Sequence, residues 1–184
     1  MARAESIAIP ITLVLLVLVF GGLVAASLPL FVGVIAILGT FLSLYVIGSI
    51  TDVSIYAINL TTALGLGLAI DYSLFIVSRY REELPAGRDP GDALVVTMRT
   101  AGRTVLFSAA TVAVSLLALL VFPLYFLRSF AYAGVAVVAV AAIASTVSLP
   151  ALLAVLGPKV DAGRIFKRSP HPESSGFWHR TATR

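Results

Sequence analysis

One carboxylate lies deep inside a long apolar segment of this 184-residue chain. Asp71 follows residues 65–70 (GLGLAI) and precedes Tyr72 and a further apolar run. Charging an aspartate in hydrocarbon costs about 2.5 to 3.5 kcal/mol on insertion scales, so such residues usually face an interior pathway. Because a carboxyl group in apolar surroundings favours its neutral form, Asp71 is a candidate proton carrier. The alternative role is a structural hydrogen bond to a neighbouring helix.

Small residues around this carboxylate predict close helix packing. Ala63 and Gly67 form one small-xxx-small pair, and Gly65 and Ala69 form another, and such pairs let a second helix approach closely. Ordinary packing and a mobile hinge are both compatible with these glycines. The GLG segment is not a dinucleotide-binding fingerprint, because it lacks the third glycine and the preceding strand.

The elements that carry these residues are predicted to be membrane-spanning helices. The chain is 59% hydrophobic and 12% charged, with a mean hydropathy of +1.03, which lies outside the range of soluble domains. A spanning helix needs about 20 apolar residues. Five runs meet this requirement and predict an all-α membrane protein, a bundle of five transmembrane helices at about 7–26, 29–50, 54–78, 102–122 and 130–156. Residues 1–158 are therefore the predicted transmembrane domain, and residues 159–184 a basic, disordered cytoplasmic tail.

Most connections between these predicted helices are short. Residues 27–29 (SLP) predict a tight hairpin between the first two spans. Turn-forming residues at 82–91 precede a short amphipathic connector helix at about 92–100, on the cytoplasmic side. Pro150 lies inside the fifth span and predicts a kink, whose freed backbone groups must find protein partners.

The positive charges predict the orientation in a cell membrane. Eleven of the 13 lysine and arginine residues lie in residues 79–103 and in the tail, which the positive-inside rule places in the cytoplasm. The N-terminus is then extracytoplasmic in this multi-pass protein. Arg79 and Arg81 are predicted to anchor the third span in lipid headgroups and to complement its helix dipole. The membrane topology also explains the net charge of +4. We therefore expect membrane lipids as partners and no nucleic acid.

A family resemblance rests on the segment around the aspartate. Residues 65–72 (GLGLAIDY) and 74–84 (LFIVSRYREEL) resemble the fourth-helix signature of the MMPL (mycobacterial membrane protein large) family, within the resistance-nodulation-division superfamily. The similarity continues through residues 102–105 (GRTV), 107–108 (FS) and 149–153 (LPALL). The resemblance implies the membrane domain of a proton-motive-force-driven exporter of lipids or other hydrophobic molecules.

The same resemblance implies roles for individual residues. Asp71 and Tyr72 resemble the pair through which the family relays protons, and Ser108 resembles a serine of that relay. From the residues alone, Ser108 is one of several hydroxyls on its helix, and Tyr72 fits an ordinary amphipathic ring. The chain resembles helices two to six of one transporter half, so we expect a truncated part of a larger transporter. Its expected partner is a second half or another copy of the chain.

Other classes of protein fit the residues less well. An intramembrane aspartyl protease needs two converging carboxylates, and only Asp71 lies deep within a predicted span. We therefore expect no enzyme. The sequence has no cysteine, and we expect no metal and no cofactor beyond protons as the coupling ion. The alternatives left open are a non-transporting membrane assembly segment or remnant, and a SecD/SecF-like or sterol-sensing relative.

Overall fold

The computed structural model describes residues 15–18, 20, 22–84 and 89–161. In this part of the chain, four helices are long and apolar enough to cross a membrane, which confirms the predicted all-α membrane fold. Half of the first predicted span, 7–26, lies outside the described residues, and residues 15–18 and 20 within it are helical. The predicted tail lies outside them beyond residue 161, so its disorder stays a prediction.

The described residues form six labelled α-helices. Their bounds are α1 Leu23–Gly48, α2 Ile55–Glu83, α3 Pro90–Thr97, α4 Arg103–Leu117, α5 Tyr125–Ile143 and α6 Leu149–Leu156. A six-residue turn joins α1 to α2, which therefore lie antiparallel. Short 3-10 turns at Ala118–Val121 and Gly157–Asp161 follow α4 and α6.

Helix α1 runs without a break through residues 27–29, so the hairpin predicted there is wrong. The backbone is extended at Gly22 instead, with φ −155° and ψ 141°, and α1 begins at the next residue. Ser27 Oγ donates to the carbonyl oxygen of Val24 at 2.8 Å, so its polar group is satisfied within the helix. Pro29 removes one backbone donor, a loss that membrane helices tolerate when the surrounding protein compensates. The second span is thus residues 23–48 rather than 29–50.

Two π-helical turns join the other helices into longer rods. The turn Met98–Gly102 connects α3 to α4, so the predicted connector helix continues directly into its span. Helix α3 begins at Pro90, two residues before the predicted start at about residue 92, and Asp89 caps it, because Asp89 Oδ2 accepts a hydrogen bond from the Gly91 N–H at 3.1 Å. The turn Ala144–Ser148 connects α5 to α6 and precedes Pro150, so the irregularity predicted there takes the form of a π turn.

Helices α2 and α5 lie at the centre of the described bundle. Both contact α1 and each other, whereas α4 packs mainly on α5. Val32, Ile76, Val138 and Leu149 are among the fully buried side chains of the core between them. Helix α4 is at the edge and remains largely exposed, as shown by Phe107, which is 77% exposed. One side of α2 is left open by this arrangement.

Candidate proton-relay site

Helix α2 presents two stripes of small residues on opposite faces. Gly65 and Ala69 are buried, and a Cβ added at Gly65 would lie 2.7 Å from Val137 Cγ1 and 2.9 Å from Thr40 Oγ1. Helices α1 and α5 therefore approach α2 closely at Gly65. Gly67 lies about 200° around the helix from Gly65, since each residue turns the helix by about 100°. A Cβ added at Gly67 would have no neighbour within 4 Å.

The open face of α2 carries the candidate proton carrier. We call it the open stripe, and its exposed members are Ala63, Gly67, Asp71, Phe75 and Glu82. Within the described residues, the side chain of Asp71 forms neither an ion pair nor a hydrogen bond. A membrane carboxylate on a bare helix face is costly in lipid. Because the Asp71 side chain forms no hydrogen bond with the described helices of this chain, those helices do not provide the structural role considered for it, a hydrogen bond to a neighbouring helix.

The side chain of Tyr72 points in a different direction from that of Asp71. Its side chain is buried, 6% exposed, and its hydroxyl has no hydrogen-bond partner among the described residues. Ser108 on α4 lies beside this hydroxyl without completing a hydrogen bond to it. The structure thus brings Tyr72 and Ser108 together, with Asp71 adjacent on the open stripe.

Ser108 belongs to a row of hydroxyl groups along one face of the α3–α4 rod. The other four members each donate to the carbonyl oxygen four residues earlier, and they are Thr100, Thr104, Thr111 and Ser115. Ser108 forms no such bond within the described chain, so its hydroxyl is free to interact with Tyr72. The sequence shows the row, because the spacing of three or four residues places all five on one helical face, but it does not single out Ser108.

Ser145 is a neighbour of the site that sequence reasoning missed. Its Oγ lies 3.5 Å from the carbonyl oxygen of Ala69, which also accepts a 2.6 Å hydrogen bond from Ser73 Oγ. Ser145 lies in the π turn Ala144–Ser148, and this contact joins that turn to α2 two residues before Asp71. Turns of this kind often occur at functional sites. The only signal in the sequence is a serine close to Pro150.

The two arginines at the end of α2 make different contacts. Arg79 pairs with Glu82, with an Nη1 to Oε2 distance of 3.2 Å, and with Glu83. Arg81 Nη1 donates to the carbonyl oxygen of Phe20 at 2.6 Å, and its guanidinium lies 5.8 Å from the centre of the Phe20 ring. Arg81 therefore ties the end of α2 to the segment before α1. The headgroup anchoring predicted for both residues stays a prediction.

The fold and the site together define a multi-pass membrane protein with an ionisable group on an open helix face. In the described part of the chain, no group of three or more His, Cys, Asp or Glu residues is placed to hold a metal ion. The chain belongs to the MMPL family, whose family model matches residues 1–184. The resemblance read from the segment GLGLAIDY is thereby confirmed.

Three curated proteins are similar to this chain over most of its length. The chain is 52% identical over 174 residues to a protein of Streptomyces coelicolor named as a membrane protein, a match that covers 95% of the chain and 24% of that protein. It is 48% identical over 160 residues to the trehalose monomycolate exporter MmpL3 of Mycolicibacterium smegmatis, a match that covers 87% of the chain and 16% of that exporter. It is 39% identical over 183 residues to the mycolic acid-containing lipids exporter MmpL11 of the same organism, a match that covers 97% of the chain and 19% of that exporter. The chain spans 24% or less of the length of each of these relatives.

Proposed function

We propose that this chain is a membrane part of an exporter that moves lipids or other hydrophobic molecules outward and is driven by inward proton flow. Family membership supports this proposal, as do two relatives that are named as lipid exporters. The observation that carries it is the placement of Asp71, which lies on an open helix face beside a buried tyrosine hydroxyl that has no partner in the described chain.

In this proposal, a partner helix covers the open stripe. Ala63 and Gly67 leave room for such a helix to approach closely. A second transporter half or another copy of the chain supplies it. Covering Asp71 removes it from lipid, where a carboxylate on a bare helix face is costly.

Asp71 then alternates between a protonated and an ionised state during each export cycle. The proton enters from the extracytoplasmic side and leaves toward the cytoplasm, with the N-terminus of the chain extracytoplasmic and the tail cytoplasmic. The hydroxyls of Tyr72 and Ser108 form a short polar pair next to the carboxyl group, and such pairs hold and pass protons within membrane helices.

The experiment that tests the proposal is a substitution at the native locus. Asp71→Asn keeps the shape of the side chain and removes the ability to bind and release a proton. We expect it to abolish export of radiolabelled lipids to the cell surface while the amount of protein in the membrane stays unchanged. Asp52→Asn is the matched control, because Asp52 is exposed in the turn between α1 and α2. Normal export by Asp71→Asn would refute the proton role and favour a packing or assembly role.

A further inference from the structure

Two buried hydroxyl groups on different helices meet at one backbone carbonyl group of α2. Ser73 Oγ donates to the carbonyl oxygen of Ala69 at 2.6 Å, and Ser145 Oγ lies 3.5 Å from the same oxygen. The backbone N–H of Ser73 donates there as well, since Ser73 lies four residues later in the helix. A carbonyl oxygen has two lone pairs. The Ser145 hydroxyl is therefore the third donor to this oxygen, which accounts for its longer distance.

Ser145 directs its hydroxyl away from its own helix. Thr146, the next residue of the π turn Ala144–Ser148, donates to the carbonyl oxygen of Ala142 in the same rod at 2.7 Å. Serine and threonine hydroxyls in membrane helices are commonly satisfied in this way. Within the described residues, the Ala69 carbonyl is instead the only hydrogen-bond acceptor of Ser145, whose side chain is fully buried. The π turn therefore presents one hydroxyl group to α2.

The turn of α2 that accepts this hydroxyl carries Asp71. Ala69 and Ser73 are one helical turn apart, and Asp71 lies midway between them in the sequence. At about 100° for each residue, Asp71 lies about 200° around the helix from Ala69. The buried side of the turn is thus held at the Ala69 carbonyl, while the carboxyl group is on the open stripe. Side-chain donors to a helix carbonyl tilt that carbonyl group and bend the helix, so the Ser145 contact affects the direction of the Asp71 side chain.

A steric contact one turn earlier does not fix this direction by itself. Val137 Cγ1 of α5 and Thr40 Oγ1 of α1 lie 2.7 and 2.9 Å from a Cβ added at Gly65, so both helices pack on the α2 backbone there. Gly65 and Ala69 lie on the same side of α2. Close packing sets the distance between helices but is not directional, whereas a hydrogen bond depends on the directions of its donor and acceptor. The Ser145 hydroxyl adds a directional contact to the steric one.

We propose that Ser145 is a positioning residue for Asp71. Its hydroxyl acts through the Ala69 carbonyl and holds the turn 69–73 so that the carboxyl group is directed to the open stripe. This role rests on the proposed proton role of Asp71, and Ser145 itself neither binds nor transfers the proton. Removing the Ser145 hydroxyl has little effect on folding, because the Ala69 carbonyl keeps its two other donors.

Cross-linking of introduced cysteines tests whether the two hydroxyls meet. The Oγ atoms of Ser73 and Ser145 lie no more than about 6 Å apart, because their distances to the shared acceptor are 2.6 and 3.5 Å. The sequence has no cysteine, so the pair Ser73→Cys with Ser145→Cys introduces both thiols. The control pair is Ser73→Cys with Thr146→Cys, because the Thr146 hydroxyl is directed to its own helix.

The two pairs are compared with a short, membrane-permeant thiol cross-linker, and the joined peptides are identified by mass spectrometry. We expect at least about tenfold more product from Ser73→Cys with Ser145→Cys than from the control pair, because bridging two cysteines requires side chains that point toward each other. Equal yields would show that Ser145 does not face the Ala69 carbonyl, and the positioning role would be wrong.

The positioning role is tested by removing the hydroxyl and then restoring it. Ser145→Ala removes the donor without adding volume, Ser145→Thr restores the hydroxyl, and Thr146→Val is the matched control that loses a hydroxyl bonded within its own helix. Proton flux into vesicles that contain the complete transporter is divided by the amount of folded protein. We expect this flux per folded molecule to fall about tenfold in Ser145→Ala, because displacing a reacting group by about 1 Å can lower a rate up to about a hundredfold. We expect Thr146→Val to retain the flux and Ser145→Thr to recover most of it.

An infrared measurement reports the environment of the carboxyl group without transport. The C=O stretching band of protonated Asp71 is identified by its absence from Asp71→Asn, and its frequency depends on the polar groups around that carboxyl group. We expect this band to shift in Ser145→Ala and to keep its position in Thr146→Val, whereas a loss of stability alone would leave the frequency unchanged. An unchanged band or an unchanged flux in Ser145→Ala would overturn the positioning role, and so would equal flux losses in Ser145→Ala and Thr146→Val.

Failure of the positioning role and failure of the proposed function give different results. If Asp71→Asn abolishes proton flux and Ser145→Ala leaves it unchanged, the proton role of Asp71 stands and the positioning role of Ser145 is wrong. If Asp71→Asn retains the full flux, the proposed function fails, and the positioning role of Ser145 fails with it.

Discussion

Two glycines on opposite faces of α2 provide a matched pair of substitutions. Gly65→Ala places a methyl group 2.7 Å from Val137 Cγ1 and 2.9 Å from Thr40 Oγ1, whereas Gly67→Ala places it in open space. Nonbonded carbon atoms prefer separations of about 3.5 to 4.0 Å, so the neighbours of Gly65 must move. Both neighbours are β-branched and have one or two allowed rotamers in a helix, so they cannot simply swing away.

Two opposing effects determine how much each glycine-to-alanine substitution changes the stability of the protein. Overpacking a filled core costs about 1 to 3 kcal/mol, and replacing a helical glycine by alanine gains about 1 kcal/mol. The gain is common to both variants and cancels in their difference. We therefore expect Gly65→Ala to be less stable than Gly67→Ala by about 1 to 3 kcal/mol, which is the overpacking cost alone.

The assay is unfolding of the purified protein in mixed detergent micelles with increasing dodecyl sulfate, followed by circular dichroism. We expect the transition of Gly65→Ala at a lower dodecyl sulfate fraction than that of Gly67→Ala. Coincident transitions, or a less stable Gly67→Ala, would show that α1 and α5 do not approach α2 at Gly65. The assignment of the two faces of α2 would then be wrong.

Four further substitutions separate the open stripe and the hydroxyl pair from the packing of the bundle. Gly67→Leu is expected to lower export at normal membrane levels, measured by lipid transport in cells, because the larger side chain holds a partner helix away from the open stripe. Tyr72→Phe is expected to keep the melting temperature, since the hydroxyl has no partner among the described residues, and to lower export about tenfold or more as a relay group is lost. Ser108→Ala is expected to lower export more than Ser115→Ala in the same assay, because the Ser115 hydroxyl is already bonded to the Thr111 carbonyl at 2.9 Å. Gly102→Ala is expected to change stability by less than about 1 kcal/mol, as measured by the same unfolding assay, because its near contact is the flexible end of Met98, at 2.6 Å.

Hydropathy was sufficient to predict the membrane fold and three of the long helices. It failed at residues 27–29, because serine and proline in sequence favour a turn, whereas a membrane helix can satisfy the first with a local hydrogen bond and tolerate the second. The Gly21-Gly22 pair was the better signal for the break, since the backbone is extended at Gly22. Glycine costs a helix more than serine does, which favours ending the helix there.

The environment of each residue on α2 required the packed structure. Ala63 with Gly67 and Gly65 with Ala69 are equivalent patterns in the sequence, and only the positions of α1 and α5 show which pair is buried. The π turn that brings Ser145 to the Ala69 carbonyl is likewise a tertiary feature, because it depends on how α5 meets α2. Local sequence does not encode these contacts.

If Asp71 carries the transported proton, proton flux across the membrane depends on its carboxyl group, and this flux can be measured directly. The transporter expressed from the native locus is reconstituted in vesicles that contain a pH-sensitive dye, and an inward proton gradient is imposed. We predict that the protein-dependent proton flux disappears in Asp71→Asn and is retained in Asp52→Asn. A flux in Asp71→Asn equal to that of the unmodified protein would show that Asp71 does not carry the transported proton.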